Sequence, residues 1–208
     1  MKTLSWLFAF GIGVSPTLVN FDAGPVGKTP PGWIVTMTHR GGAPRWEIRT
    51  DQSAPTQPYV LAQVSNDGTN DRSPLAIFEK VTLKDGDFSV RIKPVAGRED
   101  QGGGLVWRYR DENNYYLAQA DALGRSVSVY KIENGRRIPI LASARQDIPS
   151  GGWSILKVSA RGSRFQVYLD HRRVLQGQDN TFTSAGKIGL CTEADSVTYF
   201  DDFRVYPR

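Results

Sequence analysis

The sequence predicts an all-β protein, and three observations carry that expectation. The chain of 208 residues holds Gly 21 and Pro 12 alongside 11% aromatic residues, a turn-rich composition foreign to helical bundles, coiled coils and disordered chains. Short segments of alternating apolar and polar residues recur along it, each bounded by Gly, Pro, Asn or Asp. No segment sustains a 3.6-residue apolar period with a capping residue. The length suits one domain with a full core and is short for two ordinary ones.

Taken in order, the first segment is an apolar run from Leu4 to Val14 preceded by Lys2. It is too short to span a bilayer and has the layout of a signal-peptide core, so residues 1–15 are read as a signal peptide and the protein as periplasmic or secreted. Gly13-Val14-Ser15 offers the small residues a peptidase wants, although Pro16 follows; a buried first strand is the alternative. No later segment is apolar enough to cross a membrane, and no Cys follows the run to carry a lipid anchor.

Residues 16–208 then form a single domain, its first strand entering at Asn20-Phe21-Asp22. Strands are predicted at Trp33 to Thr38, Trp46 to Thr50, Tyr59 to Val64, Leu75 to Phe78, Phe88 to Val95, Gly104 to Arg110 and Tyr115 to Asp121. They continue at Ser126 to Ile132, Arg136 to Ala142, Ser154 to Ala160, Arg164 to Leu169, Arg172 to Gln176, Lys187 to Cys191 and Ser196 to Tyr206, at the spacing of a sandwich or barrel. Asn134-Gly135 predicts a type I′ hairpin turn, because both central residues need positive φ. Arg161-Gly162-Ser163 and Asp170-His171 read as tight turns as well.

Several chemistries are excluded. The single Cys191 cannot form an intramolecular disulfide framework, and with His39 and His171 the only histidines there is no zinc cluster. There is no Gly-x-Ser-x-Gly elbow and no phosphate loop. The net charge of +5 comes from scattered residues that do not interleave with aromatics on a nucleic-acid fold, so no nucleic-acid partner is expected.

The informative stretch runs from Gly102 to Asp121 and reads as a hairpin. With Asp111 to Asn114 as its loop, Arg110 lies opposite Tyr115, Arg108 opposite Leu117 and Val106 opposite Gln119. Alternation sends Leu105, Trp107, Tyr109, Tyr116, Ala118 and Ala120 into the core. The other face holds Arg108, Arg110, Tyr115, Gln119 and Asp121, and the register continued through Leu123-Gly124 adds Ser126, Ser128 and Tyr130. Planar polar and aromatic side chains of this kind hydrogen-bond sugar hydroxyls and stack on sugar rings; a merely solvated sheet face is the other reading. Gly102 to Gly104 would allow close approach of backbone or ligand. Arg91 and Lys93 alternate with Val90 and Ile92 and would extend the basic surface toward an anionic glycan if that strand joins the same sheet.

Gly-Gly-Gly-Leu-Val-Trp-Arg-Tyr-Arg-Asp-Glu-Asn-Asn-Tyr-Tyr from Gly102, then Tyr130 to Gly135 and Phe200-Asp201-Asp202-Phe203-Arg204-Val205, resemble a concanavalin A-like lectin/glucanase domain. Within that superfamily the chain is similar to the 3-keto-disaccharide hydrolase (glucanase-like) domain family of exported bacterial proteins. The resemblance covers nearly everything after residue 20. It implies a jelly roll of two antiparallel sheets, with glycans meeting the concave one, and a structural calcium held with the help of Asp202. Glucanases of this superfamily carry Glu-x-Asp-x-x-Glu on one strand; here Glu193-Ala194-Asp195-Ser196-Val197-Thr198 lacks the last carboxylate. The acid pairs Glu99-Asp100, Asp111-Glu112 and Asp201-Asp202 read as solvated turns. Hydrolysis of a 3-keto-glycoside would need a base and a metal, and neither histidine is placed to serve. The expectation is therefore a non-catalytic, carbohydrate-binding sandwich whose site is Arg108, Gln119, Tyr115, Ser128, Tyr130 and Arg110. A glycoside hydrolase or lyase of the 3-keto type, and a protein-interaction module, stand as alternatives.

Overall fold

A computed structural model of the chain describes residues 16–208. The expected signal segment, residues 1–15, lies outside them. The strands in order are β1 (Thr17–Val19), β2 (Trp33–Thr38), β3 (Trp46–Thr50), β4 (Tyr59–Gln63), β5 (Ser73–Leu83), β6 (Gly86–Ala96), β7 (Gly102–Asp111) and β8 (Asn114–Asp121). There follow β9 (Ser126–Glu133), β10 (Arg136–Pro139), β11 (Ala144–Arg145), β12 (Ser154–Arg161), β13 (Arg164–Leu169), β14 (Arg172–Gln178), β15 (Gly186–Cys191) and β16 (Val197–Pro207). Among the described residues no helix is long and apolar enough to cross a membrane. Every predicted strand from Trp33 onward is present, but the domain opens with Thr17–Val19 paired on β16 rather than at Asn20-Phe21-Asp22.

The strands form two antiparallel sheets, each 8-stranded, packed as a sandwich. The first runs β14-β13-β12-β6-β16-β4-β3, with β1 also paired on β16; the second runs β10-β9-β8-β7-β15-β5-β2, with β11 paired on β9. Alternation fills the space between them. Val90, Ile92, Leu156, Val158, Phe200 and Phe203 from the first sheet meet Trp33, Phe78, Leu105, Trp107, Tyr116 and Leu190 from the second. Trp107 stacks on Tyr116 at 5.2 Å between ring centroids and reaches across to Phe88 and Phe165.

The turns follow their residues. Asn134 and Gly135 take φ of 51° and 75°, and Asp170 and His171 take 46° and 68°, the left-handed pairs that two-residue hairpins require. His39 places Nδ1 2.6 Å from the Asp71 carbonyl and Nε2 2.6 Å from the Gly135 carbonyl, tying the β9–β10 turn to the loop before β5.

The β7–β8 hairpin departs from the predicted register. Its turn is Glu112-Asn113, with Asp111 opposite Asn114, and the pairing resumes at Trp107 opposite Tyr116 after a bulge. Val106 therefore faces Leu117 and Gly104 faces Gln119, two residues from expectation, which preserves the face of every residue up to Trp107. Beyond it the faces exchange. Arg108 takes φ of 50°, the left-handed conformation of a bulge residue, and its side chain turns inward with 3% exposure. Tyr109 swings outward against Tyr115, 6.0 Å between centroids, instead of joining the inter-sheet core. Gly186 makes room for the bulge, since a Cβ there would lie 2.5 Å from the Arg108 carbonyl carbon.

The buried Arg108 guanidinium is spent on the fold. Nη1 donates to the Phe182 carbonyl at 2.6 Å and Nη2 to the Gly162 carbonyl at 2.5 Å. Nε and Nη2 both reach the Lys84 carbonyl at 3.2 Å, and Nη2 meets Asp85 Oδ1 at 3.3 Å. These groups belong to the β5–β6, β12–β13 and β14–β15 connections, so one side chain closes this end of the sandwich. The glycine triplet also has a packing reason. A Cβ on Gly102 or Gly104 would lie 2.3 or 2.2 Å from a β8 carbonyl oxygen, and one on Gly103 would lie 2.6 Å from the Phe200 ring.

Arg108→Ala is therefore expected to destabilise, by on the order of 3 to 5 kcal/mol, because it leaves the Phe182, Lys84 and Gly162 carbonyls without their donor and empties a buried position. Trp107→Ala is expected to cost about as much through the cavity it leaves. Urea unfolding of both variants measures this; an Arg108→Ala protein as stable as wild type would disprove the clamp.

Candidate functional site

The outward face of the second sheet has two halves. One is an apolar patch of Leu75, Ile77, Val106, Tyr115, Leu117, Ile132 and Cys191, all buried. The Thr38 hydroxyl closes over it, 2.6 Å from the Glu112 carbonyl and 2.8 Å from the Tyr115 hydroxyl. The other half is a cavity of about 270 Å³ with a polar lining. Its floor comes from adjacent strands: Gln119 and Asp121 of β8 lie directly opposite Ser128 and Ser126 of β9, and Tyr130 follows at the next outward position. Arg137 of β10 stands opposite Ile132 and so shares this face. Asp100, from the β6–β7 loop, and Glu193, from the β15–β16 loop, form the rim. A second hollow of about 260 Å³, lined by Asn70 and Asp71, adjoins it across Asp100, Arg137 and Glu193.

These side chains form one chain of an ion pair followed by hydrogen bonds. Glu193 pairs with Arg137 Nη1. Arg137 Nη2 donates to Gln119 Oε1 at 2.5 Å, and Gln119 Nε2 donates to Asp100 Oδ2 at 3.2 Å. The Ser196 hydroxyl completes it on Asp100 Oδ1 at 3.0 Å. The Arg137 guanidinium also lies 3.8 Å over the Tyr130 ring, which holds both planar groups against one wall.

The loops that carry the rim are fixed in turn. The Asp195 carboxylate accepts the backbone N–H groups of Arg98, Glu99 and Asp100 at 2.7, 3.1 and 3.2 Å, which sets the β6–β7 loop. Arg72, wholly buried, donates to the carbonyls of Gly42 and Ala194 at 2.8 and 2.7 Å and so anchors the residue next to Glu193. Asp121 is held by the N–H groups of Leu123 and Gly124, each at 2.9 Å. Burial, reinforced by the nearby Asp121 carboxylate, pushes the Asp100 carboxyl up to about 6.

The six sequence-predicted ligand residues separate. Gln119, Ser128 and Tyr130 line the cavity together. Tyr115 shares their face but is fully buried in the apolar patch, with its hydroxyl on Thr38 and its ionisation pushed up by that burial. Arg108 is the structural clamp at the end of the sandwich. Arg110, past the bulge, is exposed with its guanidinium 4.9 Å over the Phe182 ring, away from the cavity. Asp202 Oδ2 lies 3.2 Å from Arg91 Nε and 3.3 Å from Arg204 Nη2, and its Oδ1 accepts from the Thr56 hydroxyl at 3.0 Å. Both Asp202 oxygens thus already have side-chain partners, and no group of three or more His, Cys, Asp or Glu residues that could hold a metal ion occurs among the described residues.

Arg137, Asp100 and Glu193 were missed by sequence reasoning. Arg137 was within reach: continuing the register through the Asn134-Gly135 turn places it with Ile132 and Tyr130 on the site face. Asp100 and Glu193 sit in loops, where no periodicity assigns a direction; Asp100 is not the solvated turn residue expected of it, and Glu193 is read from the sequence only as part of an incomplete glucanase motif.

No family model matches the chain. A stretch of 111 residues, 53% of the chain, is 36% identical to levanase from Bacillus subtilis (strain 168), and the match spans only 14% of that protein. The solved structure of carbohydrate binding module CBM66 from Bacillus subtilis superposes with a TM-score of 0.66 at 26% identity, over 83% of this chain and 94% of that one. Domain 4 of a GH43 extracellular arabinanase from Geobacillus stearothermophilus, solved with arabinotriose, superposes at 0.56 and 14% identity over 91% and 90% of the two chains, a likeness of fold. The fold is thus a concanavalin A-like or galectin-like jelly roll, in keeping with the two-sheet jelly roll that the family resemblance implied.

The raised Asp100 carboxyl has a measurable consequence. Between about pH 4 and pH 6 the folded chain holds a proton on Asp100 that the unfolded chain, at the ordinary 3.8, has released. The folded state binds the extra proton, so stability falls as pH rises through that window. Asp201, pushed up to about 6 chiefly by burial, adds to the fall. Melting temperatures taken across the window are expected to drop less in Asp100→Asn than in wild type; an identical slope would refute the assignment.

Proposed function

We propose that the chain is a carbohydrate-binding module that seats one sugar ring in the cavity of Gln119, Ser128, Tyr130, Arg137, Asp100 and Glu193. The carrying observation is the polar chain from Glu193, ion-paired with Arg137, through the hydrogen bonds of Arg137 and Gln119 to Asp100. It presents carboxylate acceptors beside guanidinium and amide donors at fixed positions, the alternation that vicinal hydroxyls require. Tyr130 supplies an aromatic wall, and a volume near 270 Å³ suits a ring rather than a polymer strand. The likeness to a carbohydrate binding module over nearly its whole length, and to part of a levanase, supports the same reading.

Because the relative in sequence is a levanase, the ligand is sought first among levan-type fructan oligosaccharides by calorimetry. Arg137→Ala is expected to lose roughly 1.5 to 3 kcal/mol of binding, about ten- to a hundredfold, by removing a charge-assisted donor. A folded Arg137→Ala protein that keeps wild-type affinity would overturn this site.

A second reading, glycoside hydrolysis including the 3-keto type, is favoured by one observation: Asp100, with its carboxyl raised to about 6, shares the cavity with Asp121. Release of reducing sugar from oligosaccharide or 3-keto-glucoside, abolished in Asp100→Asn, would establish it.

We further propose that the chain is exported, with Lys2 and the apolar run from Leu4 to Val14 as the signal. N-terminal sequencing of the protein from cell envelope and medium is expected to begin between Ser15 and Val19. Recovery of an intact Met1 terminus there would exclude cleavage.

A further inference from the structure

The outward face of the first sheet carries a surface that the cavity reading does not use. Strand pairing places Arg204, Ser89, Lys157, Tyr168 and Arg173 directly opposite one another across β16, β6, β12, β13 and β14. At ~4.8 Å between strands this row is about 19 Å long. The small Ser89 leaves a furrow. A hollow of about 330 Å³ beside Asp87 and Tyr206 and another of about 240 Å³ beside Tyr168 and His171 meet at Ser89 and Lys157, which line both.

The charges along the furrow are arranged unequally. Asp87 receives Arg161 at 2.9 Å, Arg208 at 3.1 Å and Lys157 at 3.5 Å. Asp202 receives Arg91 and Arg204. Five cations thus share two carboxylates. The carboxylate side chains are 7% and 14% exposed, whereas those of the cations are 33% to 61% exposed. What solvent meets is positive. Flat rings border the same ground: Tyr168, with the Lys157 ammonium 5.4 Å from its centroid, and Tyr206, 43% exposed.

We propose that this furrow is a second ligand site, one that takes an extended anionic polysaccharide such as a polyuronate. The exposed cations meet carboxylates spaced one per ring, the Ser89 hydroxyl meets a sugar hydroxyl, and the tyrosines meet ring faces. A nucleic acid fits less well. Duplex DNA carries a charge about every 1.7 Å of axis, far denser than one per sugar ring, and the five cations paired with Asp87 and Asp202 each already have a carboxylate within 3.5 Å. The site lies on the sheet opposite to the cavity and does not depend on what the cavity binds.

The test uses the full chain with oligogalacturonate as probe, neutral dextran as control and a single-stranded oligothymidylate as rival. Wild type is expected to bind oligogalacturonate but not dextran, with affinity that falls as salt rises. Lys157→Gln and, separately, Ser89→Glu are each expected to weaken binding about tenfold or more, with thermal melts confirming the fold. Ser89→Glu adds a carboxylate to the furrow without breaking an ion pair, so it stands if Lys157→Gln fails to fold. Undiminished oligogalacturonate binding by folded Ser89→Glu overturns the proposal. So does oligothymidylate binding as tightly as oligogalacturonate.

Discussion

The bulge after Trp107 is the constraint on which one end of the sandwich depends. Two sheets joined only by apolar packing are held without direction, because hydrophobic burial is non-directional. Inserting residues into β7 turns Arg108 from an outward position to an inward one, where its planar fork finds carbonyls from connections of both sheets. A buried guanidinium is tolerable only if its donors are satisfied. The requirement works in both directions: the loops must come to Arg108, and their positions are thereby fixed. Arg72 acts likewise on the loops after β2, before β5 and after β15, through the Gly42 carbonyl, the Ser65 hydroxyl and the Ala194 carbonyl.

The cavity has its rim positioned by Arg72 and by Asp195. Its floor is sheet, and its rim is loop. A loop acid is useful to a ligand only if it is held before the ligand arrives, since ordering it on binding would cost affinity. Asp195 holds the backbone of Asp100 and Arg72 holds the neighbour of Glu193, so both carboxylates are positioned by groups that the ligand need not touch. The chain from Glu193 to Ser196 gives Asp100 a hydrogen-bond donor on each oxygen, which favours its charged form, but burial and the neighbouring Asp121 carboxylate outweigh them and raise its carboxyl to about 6.

How much of this was legible in the sequence varied with the kind of information each residue depends on. Strands such as Ser154–Arg161 announce themselves because alternation is a local property, and the Asn134-Gly135 turn does so because two positive φ values favour those residues. The face of Gln119, Ser128 and Tyr130 was legible for the same reason. Arg108 was not. A bulge residue is chosen by what its side chain finds across the sandwich, and an arginine on a strand reads as outward until the Gly162, Lys84 and Phe182 carbonyls are known. The triple glycine misled similarly: its reason is the approach of Ala118, Ala120 and Phe200, contacts made across strand and sheet. Asp100 and Glu193 are brought to the site by loop closure, which adjacent sequence does not encode.

Charge shows the same division between local and assembled information. Along the chain, basic and acidic residues are scattered and the net charge of +5 points nowhere. Folding sorts them. In β6 and β12 a period of two puts Asp87, Arg91, Lys93, Lys157 and Arg161 on one outward face, while the apolar Phe88, Val90, Ile92, Leu156 and Val158 point between the sheets. Arg91 and Lys93 therefore do not extend the face of Gln119, since β6 belongs to the other sheet. The cavity side gathers Asp100, Asp121 and Glu193 around the single Arg137. A sandwich thus separates by its own thickness two surfaces of opposite sign, because the core between them is filled by Trp107, Tyr116, Phe88 and Phe165 rather than by polar groups.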